Sequence, residues 1–298
     1  GVWWGAGGRG RGNRDAPKGL EWRSWGRVRG WRATLRTGGD DTAVLAVEIS
    51  GTNKAGRPGT SESLFGGFCA GGDLRFFHEA ALAGGAELAT LDDFFTDEYT
   101  LDHLIHTYPK PVLAFMDGVV MGGGMGMGQG ASLRIVTERT KMAMPETNIG
   151  LFPDVGSGYF LSRCPGHVGE YLALTGTVIG ADEALAYGLA DVKLAAARLP
   201  ALWESLATRA FDSSTAVTQW IATELIAESA RPMCDTGTID AYFSLLRVKH
   251  IVDALEASKA RWAFQTSAAL RNRSPLVLHV TLAHIRPAPP LPPPPFLR

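Results

Sequence analysis

The segment Gly118–Gly130, GVVMGGGMGMGQG, narrows most sharply what this chain can fold into, because seven of its residues are glycine. Glycine inside a helix is roughly 1 kcal/mol less favourable than alanine, so a long uninterrupted helix is disfavoured here. The same density, together with Asp117 and Gln129, argues against reading Val112–Leu133 as a membrane span packed through small residues. What remains is a strand at Val112–Phe115, a tight turn, and a helix that begins near the glycines, where backbone without Cβ atoms can be approached closely.

The flanking sequence supplies the rest of an alternating pattern. Ala43–Ser50 is apolar and β-branched and reads as a buried strand, after which the Gly-, Ser-, Thr- and Pro-rich stretch Gly51–Gly67 reads as a loop. That loop leads into Phe68-Cys69-Ala70-Gly71-Gly72-Asp73 and a helix over Leu74–Leu82. Asp92–His106 carries apolar residues near helical spacing, is closed by Pro109, and bears Glu98. Leu133–Val136 and Met142–Met144 read as short strands, and residues 166–210 as helices broken at Gly176, Gly180 and Gly188. No repeat at solenoid spacing is present, and alternating β and α units imply an α/β domain.

Charge and composition exclude several function classes. A net charge of -1 gives no field to concentrate the chain on nucleic acid or an anionic membrane, so a small-molecule or protein partner is expected. The odd, widely spaced Cys69, Cys164 and Cys234 argue against a disulfide framework or a structural zinc site and fit a reducing compartment. Residues 1–38 nonetheless hold nine basic residues against two acids, and five of the eight tryptophans. With no apolar periodicity to bury, they are expected to be disordered or non-native, and their removal to leave thermal stability almost unchanged. An Arg-rich transit peptide, an RNA-binding arm and a membrane-surface arm are the functional readings of that segment. Seven of 17 prolines fall within Pro287–Pro295, so residues 287–298 read as a polyproline or disordered tail, either an SH3-type ligand or a segment that packs on nothing. The expected division is therefore 1–38, a core at 39–195 with the active site, a truncated helical region at 196–286, and the tail.

Two glycine sites, Gly71-Gly72 and Gly122-Gly123-Gly124, each follow a strand and open a helix, so each can present backbone N–H groups to an oxygen bearing negative charge. A phosphate loop lacks support, because neither site ends in Gly-Lys-Ser/Thr; tight helix–strand packing is the alternative. Glu146 and Asp154 lie in otherwise apolar surroundings, where a carboxylate has either a chemical task or a capping or ion-pairing partner. His78, His103 and His106 have no metal-ligand spacing and read as surface or satisfied histidines. Cys69 invites a nucleophile reading but has no base evident in its neighbourhood, so a small buried residue is the simpler expectation.

Taken together, FCAGGDLRFF at 68–77, GVVMGGGMGMGQG at 118–130 and MPETNIGLFPDVGSGYFL at 144–161 resemble the crotonase (enoyl-CoA hydratase/isomerase) superfamily. The resemblance covers roughly 40–286, is strongest over 68–192, and is closest to the 3-hydroxyisobutyryl-CoA hydrolase branch. It implies an α/β fold, a spiral of ββα units with a helical C-terminal region, here incomplete at both ends. It also implies an acyl-CoA thioester held between the N–H groups of Gly72 and Gly123.

The branch follows from individual positions. Hydratases of the superfamily carry two glutamates, and the first of these positions is Gly126 here, so only Glu146 remains. The hydrolase pattern instead has acids matching Glu146, Asp154 and Glu98. The resemblance thus implies Glu146 and Asp154 as catalytic residues, Gly72 and Gly123 as the oxyanion hole, and Glu98, Gly123, Glu146 and Asp154 as substrate contacts. It further implies a thioesterase of valine catabolism with no cofactor beyond the CoA of its substrate, no metal and no membrane or nucleic-acid partner, and a homo-oligomeric assembly. The compartment would be cytoplasmic in a bacterium and the mitochondrial matrix in a eukaryote. An enoyl-CoA hydratase or isomerase, and a non-catalytic acyl-CoA- or RNA-binding relative, are the alternatives.

Overall fold

The computed structural model describes residues 2–5, 25–51, 67–226 and 235–286. Its main sheet comprises β1 (Val2–Gly5), β2 (Ala46–Ser50), β3 (Val112–Met116), β5 (Leu133–Val136) and β7 (Val192–Lys193), in the order β1-β2-β3-β5-β7. Only β1 runs antiparallel to its neighbour; β2 pairs with β3 in register Val47↔Val112, and β3 with β5 in register Leu113↔Leu133. A second, two-stranded parallel sheet joins β4 (Val119–Met121) to β6 (Lys141–Ala143). Each of β3 and β5 is therefore followed at once by a strand of the small sheet, and β4 by helix α4 (Gly123–Gln129), which is the expected ββα winding.

Strand periodicity divides the core in two. Val47, Ile49, Val112, Ala114, Met116 and Val136 face one apolar cluster, whereas Ala46, Leu113, Phe115, Leu133 and Ile135 face the other. Both faces of these strands are covered, as near-continuous apolar runs in parallel sheets require. The second face is covered by α8 (Leu199–Thr208) and α9 (Ser214–Ile221), through Leu199, Leu202, Leu206, Val217 and Ile221. The first carries α1 (Trp25–Asp40), α3 (Ala86–His106), α4, α5 (Ser157–Phe160), α6 (Val168–Thr175), α7 (Ala181–Ala186) and the helices α10 to α13 between Gly237 and Ile285, while α2 (Leu74–Ala83) packs on α3.

Helix α1 corrects one expectation. Residues 25–38 are ordered helix, with Val28, Trp31 and Leu35 buried on one face. Their separations of three and four residues make an apolar stripe that the surrounding Gly and Arg residues conceal. Polar contacts lock the helix in place: Arg29 donates from Nε to Asp97 Oδ2 at 2.7 Å, Arg32 pairs with the other oxygen, and Tyr108 Oη donates to the Leu35 carbonyl at 2.8 Å. Elsewhere the first long strand is shorter than Ala43–Ser50, α3 begins six residues before Asp92, and Met142–Met144 moves back by one residue. Residues 6–24 and the Pro-rich tail at 287–298 lie outside the described residues.

Candidate active site

The two glycine loops meet because an isolated parallel bridge aligns Cys69 with Val120 of β4. Cys69 N donates to the Val119 carbonyl and Met121 N to the Cys69 carbonyl, both at 2.9 Å. A Cβ on Gly124 would lie 2.4 Å from the Cys69 carbonyl oxygen, so this approach requires glycine there. Gly71, at φ +91°, brings its Cα so near the second loop that a Cβ would sit 3.5 Å from Gly123 N. Among the described residues, neither the Gly72 nor the Gly123 N–H has a hydrogen-bond acceptor.

Glu146 begins a 3-10 turn, Glu146–Ile149, directly after β6 and Pro145. It points back at the glycines: a Cβ on Gly122 would lie 2.9 Å from Glu146 Oε1. The side chain is buried and its Oε2 has no hydrogen-bond partner among the described residues. Burial pushes its pKa up to about 8, opposed by a hydrogen bond from its own backbone N–H and reinforced by the charge of Asp154. Glu98, on the buried face of α3, is likewise pushed up to about 8 by burial and then by Asp154 and Glu146. Asp154 is half-buried and accepts a 2.7 Å hydrogen bond from Tyr99 Oη; burial raises its pKa while that bond lowers it. Glu98, Glu146 and Asp154 are thus brought into one electrostatically coupled group.

A fourth acid, Asp102, was not singled out from the sequence. It follows Glu98 by one helical turn and is buried with neither carboxylate oxygen hydrogen-bonded among the described residues. Burial, with the charges of Glu98 and Asp154, drives its pKa well above the usual carboxylate range. The signal was the i, i+4 spacing of Glu98 and Asp102 beside Leu101 and Ile105, positions that α3 turns toward the core.

Gly126 is filled from outside. A Cβ there would lie 2.6 Å from Val155 Cβ and 2.8 Å from Asp102 Oδ2. Val155 itself is held at φ +44°, a strained conformation for a β-branched residue. Beside this plug opens a cavity of about 370 Å³, its wall including Tyr99, Asp102, His106, Asp154, Tyr159 and His284. Gly72, Gly123, Glu98 and Glu146 do not line it, whereas Asp102 and Asp154, both electrostatically coupled to Glu98, do.

The remaining candidates behave as bland residues. Cys69 is buried, its thiol pushed far up by burial and by the charges of Glu98 and Asp102, the opposite of what a nucleophile needs. His78 and His103 are exposed, and His106 packs edge-on against Tyr159 at 5.0 Å. No group of three potential metal ligands occurs among the described residues, and no helix among them is long and apolar enough to cross a membrane.

Comparison with known proteins shows what this chain resembles. The family model described as enoyl-CoA hydratase/isomerase matches residues 26–292. The 3-hydroxyisobutyryl-CoA hydrolase, mitochondrial, of Xenopus tropicalis is 36% identical over 225 residues, covering 74% of this chain and 58% of that protein. The small ribosomal subunit protein mS47 of Neurospora crassa is 38% identical over 239 residues, covering 74% and 47%. The chain thus spans about half the length of these two relatives. Among solved structures, a carnitinyl-CoA dehydratase from Mycobacterium thermoresistibile matches with a TM-score of 0.76 and 33% identity, covering 94% of this chain and 76% of that one.

Proposed function

The chain belongs to the enoyl-CoA hydratase/isomerase family, and from that premise we propose that it hydrolyses 3-hydroxyisobutyryl-CoA to 3-hydroxyisobutyrate and free CoA. One observation carries the choice of reaction: a single carboxylate, Glu146, lies against the glycine turn, while the position that would bear a second acid, Gly126, is plugged by Val155 and Asp102. Adding water across a double bond needs an acid and a base disposed about one water molecule, whereas attack at a thioester carbonyl needs one carboxylate and a pair of N–H donors. The similarity to the Xenopus hydrolase supports the same choice.

In the proposed reaction the carbonyl oxygen lies between the Gly72 and Gly123 N–H groups, which stabilise it as it becomes an oxyanion. Ionised Glu146 then acts in one of two ways. It attacks the carbonyl carbon, forming an anhydride as the C–S bond breaks and the departing thiolate takes a proton, and water later cleaves the anhydride. Alternatively it removes a proton from a water whose oxygen attacks the same carbon, after which the C–S bond breaks and the departing thiolate takes that proton back from Glu146. Glu98 and Asp154 orient the substrate hydroxyl or the water. The CoA moiety is part of the substrate, and the scheme draws on no separate cofactor or metal. The compartment is the mitochondrial matrix for a eukaryotic chain, as the designation of the Xenopus relative suggests, and the cytoplasm for a bacterial one.

Two other readings have support of their own. The carnitinyl-CoA dehydratase likeness favours hydration or dehydration of an intact CoA ester, and the mS47 likeness favours a non-catalytic role in a ribosomal subunit. Free-thiol release separates them. Incubated with folded protein, 3-hydroxyisobutyryl-CoA should yield CoA stoichiometric with acid, while crotonyl-CoA loses its enoyl absorbance slowly or not at all. Fast crotonyl-CoA hydration without thiol release would replace the hydrolase assignment by the hydratase one. Neither activity, with salt-dependent RNA binding, would favour the ribosomal reading.

A further inference from the structure

The two glycine loops and Glu146 all hang from the two-stranded sheet. Gly122–Gly124 follows β4, Glu146 follows β6 and Pro145, and Cys69, which leads into Gly71-Gly72, is bridged to Val120 of β4. Each of these strands has three residues and leaves the main sheet through a short turn, Asp117-Gly118 between β3 and β4 and Thr137–Thr140 between β5 and β6. So small a sheet is marginal by itself, and its placement against the main sheet depends on how those turns are held. One side chain ties them together. Asp117 is fully buried; its Oδ1 accepts from Thr137 Oγ1 at 2.6 Å and from Arg139 Nε at 3.1 Å, and its Oδ2 pairs with Arg139 Nη2. Alongside, Thr140 Oγ1 donates to the Met116 carbonyl at 2.7 Å and Lys141 N to the Gly118 carbonyl at 2.8 Å.

We propose that Asp117 and Arg139 are positioning residues, a buried fork that fixes the two-stranded sheet against the main sheet and so holds Glu146 and the glycine N–H groups in mutual register. A carboxylate gripped through both oxygens by a guanidinium has one favoured orientation, which a single-point contact lacks. Desolvation offsets much of the energy of such a pair, so defined geometry, more than stability, is what it contributes here. The inference rests on the proposed reading of Glu146 and the glycine loops and adds to it the pair that acts through their backbone. Gly122 N donates to the Ala143 carbonyl at 3.2 Å, the last link between β4 and β6 before the loop, and its amide reports on that register.

The test pairs amide exchange with turnover. Every Met-Gly step of the chain, at Gly122, Gly126 and Gly128, lies in the glycine segment, so NMR with isotope-labelled methionine carbonyls and glycine nitrogens isolates those three amides. In Arg139→Met and Asp117→Asn, the Gly122 amide should exchange at least about tenfold faster relative to Gly128 inside α4, a local change that global destabilisation would not produce. For thiol release from 3-hydroxyisobutyryl-CoA, kcat should fall by about 10- to 100-fold with KM within about threefold, since misplacement by about 1 Å suffices for the larger loss. Arg139→Lys, which keeps the charge without the fork, should lie between wild type and Arg139→Met. Arg286→Met is the control: it breaks a pair with Glu170 among the C-terminal helices and should lower Tm while leaving the exchange ratio and kcat within about threefold of wild type. An unchanged exchange ratio overturns the inference whatever the activity. A kcat that neither variant lowers does the same, as does a rise in KM alone or a fall in kcat that Arg286→Met matches at equal loss of Tm. If Arg139→Met does not fold, Asp117→Asn decides on the same readouts. A raised ratio in a protein whose wild type releases no thiol would uphold the positioning of the glycine loop and remove the hydrolase reading. Thiol release that neither variant slows would do the reverse.

Discussion

Replacing Gly126 by alanine tests whether Val155 and Asp102 fill the place of a second acid. The added methyl would lie 2.6 Å from Val155 Cβ, 2.8 Å from Asp102 Oδ2 and 3.0 Å from the Val155 carbonyl oxygen. Carbon atoms in contact normally sit about 3.5–4.0 Å apart, so the overlap is near 1 Å, and the carbonyl oxygen cannot swing aside as a side chain could. Val155 has little slack, since its φ of +44° is already strained. Against this stands the helix-propensity gain of roughly 1 kcal/mol for Gly→Ala. Overpacking against backbone belongs at the upper end of the usual range, about 2–3 kcal/mol, so the net loss should be about 1–2 kcal/mol, or roughly 2–8 °C in Tm. Urea titration measures it, with Gly30→Ala on α1 as control: nothing lies within 4 Å of a Cβ there, and a gain of about 0.5–1 kcal/mol is expected. Combining Gly126→Ala with Val155→Gly removes the nearest clash and the strain together, so a double-mutant cycle should show coupling of about 1 kcal/mol or more. A Gly126→Ala protein as stable as wild type would refute the plug, and with it the argument against a second acid at this position.

Glu146→Gln should lower kcat for thioester cleavage by at least ~100-fold, the scale of a lost base or nucleophile, with Tm unchanged or higher; near-normal turnover would remove Glu146 from the mechanism. Because Glu98 and Glu146 titrate near 8 in the fold and near 4.5 otherwise, the native state holds protons that the unfolded chain has released between those values. Their contribution to stability is therefore full below about pH 4.5 and falls as pH rises through 8. Tm should decline from pH 5.5 to 8.5, and a Glu98→Gln/Glu146→Gln double variant should flatten the decline. Trp31→Ala on α1 should cost about 3–5 kcal/mol, the range for a large aromatic removed from a core; unchanged thermal unfolding would show that the helix does not pack.

Legibility in the sequence followed the kind of signal each feature leaves. Leu133–Val136 was readable to the residue because a short β-branched run between turns has few alternatives. The opening of α4 at the triple glycine was readable because glycine at that density marks close backbone approach, and Gly122 and Gly124 do lie against Glu146 and Cys69. Helix α1 was not, because three buried residues among many Arg and Gly depend on Asp97 and Tyr108, which lie far along the chain. Glu98 and Glu146 were visible through motif and apolar context. Asp102 was not, since an acid one turn from another on an amphipathic helix usually belongs to the solvated face. Here the face that carries Glu98, Leu101, Asp102 and Ile105 is turned against the core, and Val155, which meets the gap at Gly126 beside Asp102, sits at a positive φ that leaves no mark in the sequence.

The same packing explains how four acids can share one site without becoming equivalent. Placed together in apolar surroundings they compete for protons, since each ionised carboxylate raises the cost of ionising the next. Asp102 has no compensating donor, and Glu98 feels two neighbouring acids, so both are held toward the neutral form that donates a hydrogen bond. Asp154 has the Tyr99 hydroxyl to stabilise its charge. Of the four acids, Glu146 is the one that lies against the glycine turn at Gly122. Burial raises Glu98 and Glu146 alike, to about 8, so contact with the glycine turn and not proton affinity sets Glu146 apart. Under the proposed reaction that contact makes Glu146 the carboxylate that acts at the thioester, in its ionised form.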